Sequence, residues 1–248
     1  MKVGVIGNTK LTFEGLQLLV SLNHQIPFVF GLSDEDLKSK VNSIPLDNFC
    51  KDNNITLYKS EKWDVIMDQD VDLIISLGDS RFVPPQVIDK FKVIGNHGAI
   101  LPSIQGGASL VWGRMLNSGE WGVSLMELDK KIDNGTILKT KSFTYEPNTP
   151  MEVFCDKCDK ETVNILKDYL INGPDNKEYK PSRVDIKVSK YIDSKTCIEL
   201  LQFALNHNLN IYLPPRTPED GKIKKEWGNE FIENFKIAND KPYPKCYY

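Results

Sequence analysis

The sequence predicts an α/β fold: a mostly parallel twisted sheet with helices on both faces, followed by a small C-terminal extension. Three observations carry this expectation. Through the first two thirds of the 248 residues, short apolar runs alternate with stretches of helical period, the rhythm of a sheet whose crossovers are helices. After Gly122 the rhythm gives way to two apolar runs joined by a turn rich in Asp, Asn and Gly, which reads as an antiparallel pair. The chain is also long enough to bury a full core without disulfide or metal staples.

The elements follow in order. KVGVIG is a buried strand, and a helix is expected over 13–22. PFVFGL is the second strand, followed by a helix over 44–52. DLIISLG, a short helix over 85–90 and FKVIGNH complete the parallel part. GVSLMEL and TILKTKSFTY, joined by DKKIDNG, form the antiparallel pair. The next helix runs from residue 149 or 150 to about 170, with Thr149 as N-cap and Pro150 in the first helical position. INGPDNKEYKPSR, rich in Pro, Gly and charge, marks a boundary, which divides the chain into a core, 1–172, and an extension, 173–248. The extension carries an amphipathic helix over 196–206, the loop PPRTPEDG, a helical piece near 230–237 and the end PYPKCYY, a packed terminus or the interface of a homodimer.

Composition narrows the function classes. With 31 Lys and Arg against 34 Asp and Glu, the net charge is −3, so nothing in the overall balance favours a nucleic-acid partner, whose binding rests on cations neutralising phosphates. MKVGVIGN has neither the layout of a signal peptide nor a long apolar span, so a cytoplasmic protein without membrane association is expected. Five cysteines at irregular spacing are expected as reduced thiols. Cys155 and Cys158 form a single CxxC inside a helical pattern. No second ligand pair or nearby histidine accompanies them, so packing on one helix face is favoured over metal or redox chemistry, and no metal is expected.

Open α/β sheets bind ligands beyond the carboxyl ends of their strands, which directs attention to Gly7 and Asn8, to residues 78–81 and to residues 96–98. GVIGNT lacks a full GxGxxG, so Gly4 and Gly7 read as a tight strand-to-helix turn rather than a dinucleotide site. Of three histidines, only His97 stands at the mouth of a predicted central strand, where a solvent-reachable imidazole serves as a general base; capping the strand end is the bland alternative. Asp133 lies in an Asp-Asn-Gly turn, which by itself is usually only a turn, and Asp129 is an equally exposed carboxylate.

NHGAILP followed by GGASLVWGRMLNSGEWGVSLMELDKKIDNGTIL resembles the core of the tetrahydrofolate-dependent formyltransferases, which include the methionyl-tRNA, glycinamide-ribonucleotide and amino-sugar enzymes. Against the family's strand ending Asn-x-His, its Leu-Pro loop, its Gly-Val-(Ser/Thr) phrase and its Leu-Asp-x-Gly turn, the matching residues here are His97, Ile100-Leu101-Pro102, Gly122-Val123-Ser124 and Ile132-Asp133-Asn134-Gly135. KVGVIGNTKLTFEGLQLL and SLGDSRFVPPQVID resemble the family's opening strand and helix and its pterin loop. The resemblance implies a Rossmann-like formyltransferase core and N10-formyltetrahydrofolate as cosubstrate. It also implies catalytic roles for Asn96, His97 and Asp133. Backbone groups of Ser80, Arg81, Phe82 and Val83 would cover the pterin from one side, and Leu128, Asp129 and Asp133 from the other.

The implied chemistry is direct attack of an amine on the formyl carbon, with His97 and Asn96 stabilising the oxyanion and Asp133 orienting His97 and helping to move the proton. One departure stands out: the family's Asn lies two residues before the His, and here that position is Gly95, with Asn96 directly before His97. Adjacent strand side chains point to opposite faces, so either the backbone turns to present Asn96 or His97 acts with backbone donors.

For the acceptor, PPRTPEDGKI and PYPKCYY resemble elements of the formyltransferases acting on nucleotide-linked amino sugars. This implies a small-molecule partner bound by Gln105, Gly106, Gly107 and Arg216, whose guanidinium suits a diphosphate. Gln105-Gly106-Gly107 stands where relatives carry Arg-Gly-Arg, so sugar contacts are expected to differ. The tRNA enzymes carry a further β-rich domain, which with the acidic balance disfavours that acceptor. A formyl-folate hydrolase, glycinamide-ribonucleotide formylation, a silent folate-binding protein and a nucleotide-cofactor oxidoreductase are the competing readings.

Overall fold

The computed structural model describes residues 1–40, 42–175 and 183–248. Three strands, β1 (Val3–Ile6), β2 (Phe28–Gly31) and β4 (Leu73–Ser76), are buried at every position, as expected of strands covered on both faces. With β3 (Thr56–Lys59) and β5 (Val93–His97) they form the parallel part of a seven-stranded sheet. Its far edge is the antiparallel pair β7 (Glu120–Glu127) and β8 (Ile137–Thr144), in the order β3-β2-β1-β4-β5-β7-β8. The predicted α/β class therefore holds. Strand β3 escapes the sequence pattern because, at the sheet edge, its TLYK is exposed or half-buried throughout.

Helix α1 (Lys10–Ser21) begins earlier than its apolar period suggests, because Thr9 and Thr12 form a capping box that satisfies the first free N–H groups. It and α7 (Met151–Asn172) cover one face of the sheet. Helices α4 (Asp64–Met67) and α5 (Pro85–Lys90) contribute Ile66 and Val87 to a second cluster on the other face. The short α2 (Asp34–Ser39) and α3 (Asp47–Asp52) flank the β2–β3 connection. The start of α7 corrects the sequence expectation: Pro150, not Thr149, is the N-cap, and the Thr149 hydroxyl instead donates back to the Glu146 carbonyl at 2.6 Å.

A second, three-stranded sheet was not legible in the sequence, because strands of two or three residues have no measurable period. It consists of β6 (Ile104–Gly106), β9 (Ile186–Lys187) and β10 (Ile211–Leu213), all parallel, in the order β6-β10-β9. It ties the C-terminal part to the core. Helices α6 (Ser109–Leu116), α8 (Ser194–Asn206) and α9 (Asn229–Ala238) pack around it and share one hydrophobic cluster with α1 and α7. The Trp112 indole donates to the Pro214 carbonyl at 3.1 Å. Within PYPKCYY the Tyr247 backbone pairs with Gly221 and Ile223, while the Tyr247 and Tyr248 side chains are exposed. The expected boundary at 171–183 falls largely outside the described residues.

Pairing of β5 with β7 assigns the two faces at the sheet's C-terminal edge. Gly95 lies opposite Met126 and His97 opposite Ser124, whereas Asn96 lies opposite Leu125. Residues directly opposite share a face, so Gly95 and His97 belong to the α5 side with Val93, and Asn96 to the α1–α7 side with Ile94.

Candidate active site

His97 is the last residue of β5, where ligands of open α/β sheets bind. The sequence suggested a solvent-reachable ring; the structure corrects this, since His97 is only 7% exposed. Its Nε2 lies 3.0 Å from the Ile104 carbonyl. A carbonyl only accepts, so this nitrogen carries the proton. Its Nδ1 faces Asp133 Oδ1 at 3.5 Å, long for a hydrogen bond.

Asp133 sits in the left-handed region, at φ 50°, a conformation its short polar side chain tolerates. Its Oδ2 accepts the Gly106 N–H at 2.7 Å. Gly106 is in turn required by its backbone: φ is 102°, and a Cβ there would meet the Leu213 carbonyl oxygen at 1.9 Å. His97 from β5 and the Gly106 N–H from β6 thus converge on one carboxylate.

Asn96 remains within the strand, on the face opposite His97. Its Oδ1 accepts the Gly78 N–H at 2.9 Å. That bond fixes the amide's orientation and turns Nδ2, a double donor, away from Gly78. Both Asn96 and His97 line the same cleft, which wraps around the end of β5. At Gly95 a Cβ would come within 2.9 Å of Leu128 Cδ2, so Leu128 occupies the space a larger residue would need.

The cleft measures about 580 Å³ and is lined mainly by apolar groups, the size of a small-molecule or cosubstrate site. Ser80, Arg81, Phe82 and Val83 all line it. Val83 is buried, whereas Phe82 is 50% exposed. Leu128, Asp129 and Asp133 also line it, with Ile132, which is 59% exposed. The Arg81 guanidinium is committed to the Asp79 carboxylate and the Phe30 and Gly31 carbonyls, and it lies over the Phe30 ring at 4.7 Å. Its role here is to hold the 79–83 loop in place. Lys130 N–H, then Asn134, hold the Asp129 carboxyl below its usual range.

Of the residues expected on the acceptor side, Gly106 and Gly107 line the cleft, but Gln105 and Arg216 do not. Gln105 is buried, with its amide 3.4 Å from the Pro102 carbonyl. Arg216 is a strut: it donates to Ser194 Oγ, the Asp220 carbonyl and Asn239 Oδ1, each at 2.8 Å. It stacks on Trp112 at 4.8 Å, and burial lowers its pKa to about 10. The cation expected to reach a diphosphate is instead enclosed by protein acceptors.

Sequence reasoning missed a further group that lines the cleft: Cys158, Asp159, Thr162 and Tyr243. A signal was available. Met151, Phe154, Cys155, Cys158, Thr162, Ile165 and Leu166 form the buried stripe of α7, and Asp159 falls within it, an acidic residue on an apolar helix face. Burial raises the Asp159 pKa to about 7. Cys155 and Cys158 pack on this face as expected, and burial pushes the Cys155 thiol up to about 12, leaving it protonated and unreactive.

The profile of the formyl transferase family matches residues 19–170, more than half the chain. The chain belongs to the formyl transferase family. Beyond the matched span lie β10, with Arg216 behind it, and Tyr243 at the cleft. Among curated members, the chain is 29% identical over 151 residues to a methionyl-tRNA formyltransferase of Ureaplasma parvum, an alignment covering 57% of this chain and 49% of that one. It is also 29% identical over 257 residues to the enzyme of that name from Lactobacillus delbrueckii, covering 92% and 78%. The chain thus spans about half the length of the first curated relative. Among solved structures, the N-formyltransferase of Helicobacter canadensis, in complex with folinic acid and dTDP-3-aminofucose, superposes with a TM-score of 0.69 at 17% identity. That superposition covers 96% of this chain and 80% of its counterpart, and it establishes a shared fold.

Proposed function

We propose that this protein transfers a formyl group from N10-formyltetrahydrofolate to the primary amine of a nucleotide-linked amino sugar. The observation that carries the reading is the convergence of Asn96, His97 and Asp133 on one cleft inside a chain of the formyl transferase family. The exposed side chains of Phe82 and Ile132 supply apolar surface for a flat pterin ring, and the 79–83 loop, braced by Arg81, supplies backbone groups for its polar edge.

The cosubstrate supplies the formyl carbon; the chain supplies position and charge. As the amine attacks, negative charge grows on the formyl oxygen. Asn96 Nδ2, pre-oriented because Oδ1 is tied to Gly78, donates to that oxygen. Asn96 is thus the side-chain donor at the oxyanion, whereas His97, its Nε2–H held by the Ile104 carbonyl, keeps the Nδ1 lone pair to take up the proton of the amine. Loss of such a donor typically costs on the order of 10²–10³ in rate. Asp133, held by the Gly106 N–H, balances the charge on His97 and helps accept the proton leaving the ammonium. Holding both reactants in one enclosed cleft supplies much of the remaining acceleration.

The amino-sugar acceptor is supported by the fold shared with the Helicobacter enzyme over nearly the whole chain and by the RTPED loop, although its Arg216 acts from behind the site rather than within it. A second acceptor, methionyl-tRNA, is favoured by the names of the curated relatives. Incubating the protein with N10-formyltetrahydrofolate and either dTDP-3-aminofucose or methionyl-tRNA, and reading product mass, separates them. A sugar product heavier by one formyl group is expected. Formylated tRNA alone would replace the acceptor, and formate release without any amine would replace transfer by hydrolysis.

A further inference from the structure

Asp159 is a buried acidic residue on the wall of the cleft. It retains 9% of its surface, yet its side chain makes no hydrogen bond or ion pair with any described residue. Its polar neighbours are turned to other partners. Thr162 Oγ1 donates to the Cys158 carbonyl at 2.8 Å, and Lys10 Nζ is committed to Asp156 at 2.6 Å. A buried carboxylate without a partner is costly, and native chains that keep one usually use it.

Its position gives it a use. Asp159 lines the same cleft as Asn96 and His97, but on the α1–α7 side of the sheet, away from the Phe82 and Leu128 side. The surrounding charge is negative: Glu14 and Asp156 stand near it, and Lys10 is the one cation among the groups acting on it. Such a field repels phosphate and attracts a cation. Cys155, Cys158 and Tyr243 face it as groups that burial keeps protonated and neutral.

We propose that Asp159 is the recognition group for the ammonium of the acceptor, on the α1–α7 wall of the cleft that Asn96 also faces. This rests on the amine-transfer reading above and deepens it. An amino sugar enters as a cation and must lose a proton before attack, so a carboxylate in a water-poor wall selects the amine over the corresponding hydroxyl sugar. The same field directs the diphosphate away from α7. Asp159 is a specificity residue rather than a catalytic one.

The test is equilibrium titration of dTDP-3-aminofucose onto the whole protein saturated with 5-formyltetrahydrofolate, compared with dTDP-fucose, which carries a hydroxyl in place of the amine. Wild type should bind the amino sugar at least tenfold more tightly than the hydroxyl sugar. Asp159→Asn should abolish that preference, Asp159→Glu should restore part of it, and folate affinity should stay within twofold in both. Wild-type preference for the amine should also weaken from pH 8 to pH 6 as Asp159 takes up its proton. The inference is overturned if wild type binds neither sugar or does not distinguish them, or if Asp159→Asn keeps the preference. Formyl transfer measured by product mass judges the enzymatic reading separately, so a chain that formylates the amine without help from Asp159 loses only this assignment.

Discussion

Asp159→Asn should make the protein more stable above about pH 4, by an amount that grows until about pH 7. In the folded chain the carboxyl titrates at about 7, against 3.8 for a free side chain, because burial and then Glu14 disfavour its charge. The folded state therefore holds more protons than the unfolded state between about pH 4 and pH 7, and stability falls as pH rises through that window. A difference of roughly three units, at about 1.4 kcal/mol each, amounts to about 4 kcal/mol lost by pH 8. The isosteric amide removes the charge and recovers most of it. For a chain of this size that corresponds to a Tm increase on the order of 10 °C at pH 8, and almost none at pH 4, where the native carboxyl is already neutral. Urea unfolding of both proteins at pH 4, 6 and 8 reads the effect directly. A stability difference independent of pH, or a less stable amide variant at pH 8, would refute the reasoning. Together with lost acceptor selectivity, a gain would identify a residue kept for function at a cost in stability.

Other substitutions separate chemistry from scaffold. His97→Ala and Asp133→Asn should each lower kcat by roughly 10²–10⁴, with folate affinity and unfolding midpoint little changed; near-wild-type turnover in either would remove the pair from the mechanism. Arg216→Ala leaves three acceptors without their donor and uncovers Trp112, so about 3 kcal/mol of stability should be lost, visible as a lower urea midpoint, while Arg216→Lys should recover only part of it. Gly95→Ala places a methyl against Leu128; folate binding should weaken several-fold, and Leu128→Ala in the same chain should restore it if Leu128 is the obstructing group.

Some of this was legible in one dimension. The short apolar runs of β1, β2, β4 and β5 announced a parallel sheet because burial on both faces leaves few polar positions, and the Asp-Asn-Gly turn announced the β7–β8 pair. The family resemblance pairs His97 with Asp133, and the Asn96 side chain falls on the face that strand alternation requires. Asp159, by contrast, was visible only as an acidic residue on an apolar stripe.

What the sequence by itself determined, then, is the class of sheet, since periodicity records which positions are buried and which end a strand; the pairing of His97 with Asp133 rested on the family resemblance. Only the tertiary structure decided what those positions are buried against. It enclosed Arg216 behind the site, fixed the Asn96 amide through Gly78, placed Leu128 over Gly95, and opened the wall of α7 so that Asp159 meets the cleft. Each of these depends on contacts between segments far apart in the chain, and a local pattern carries no record of its distant partners.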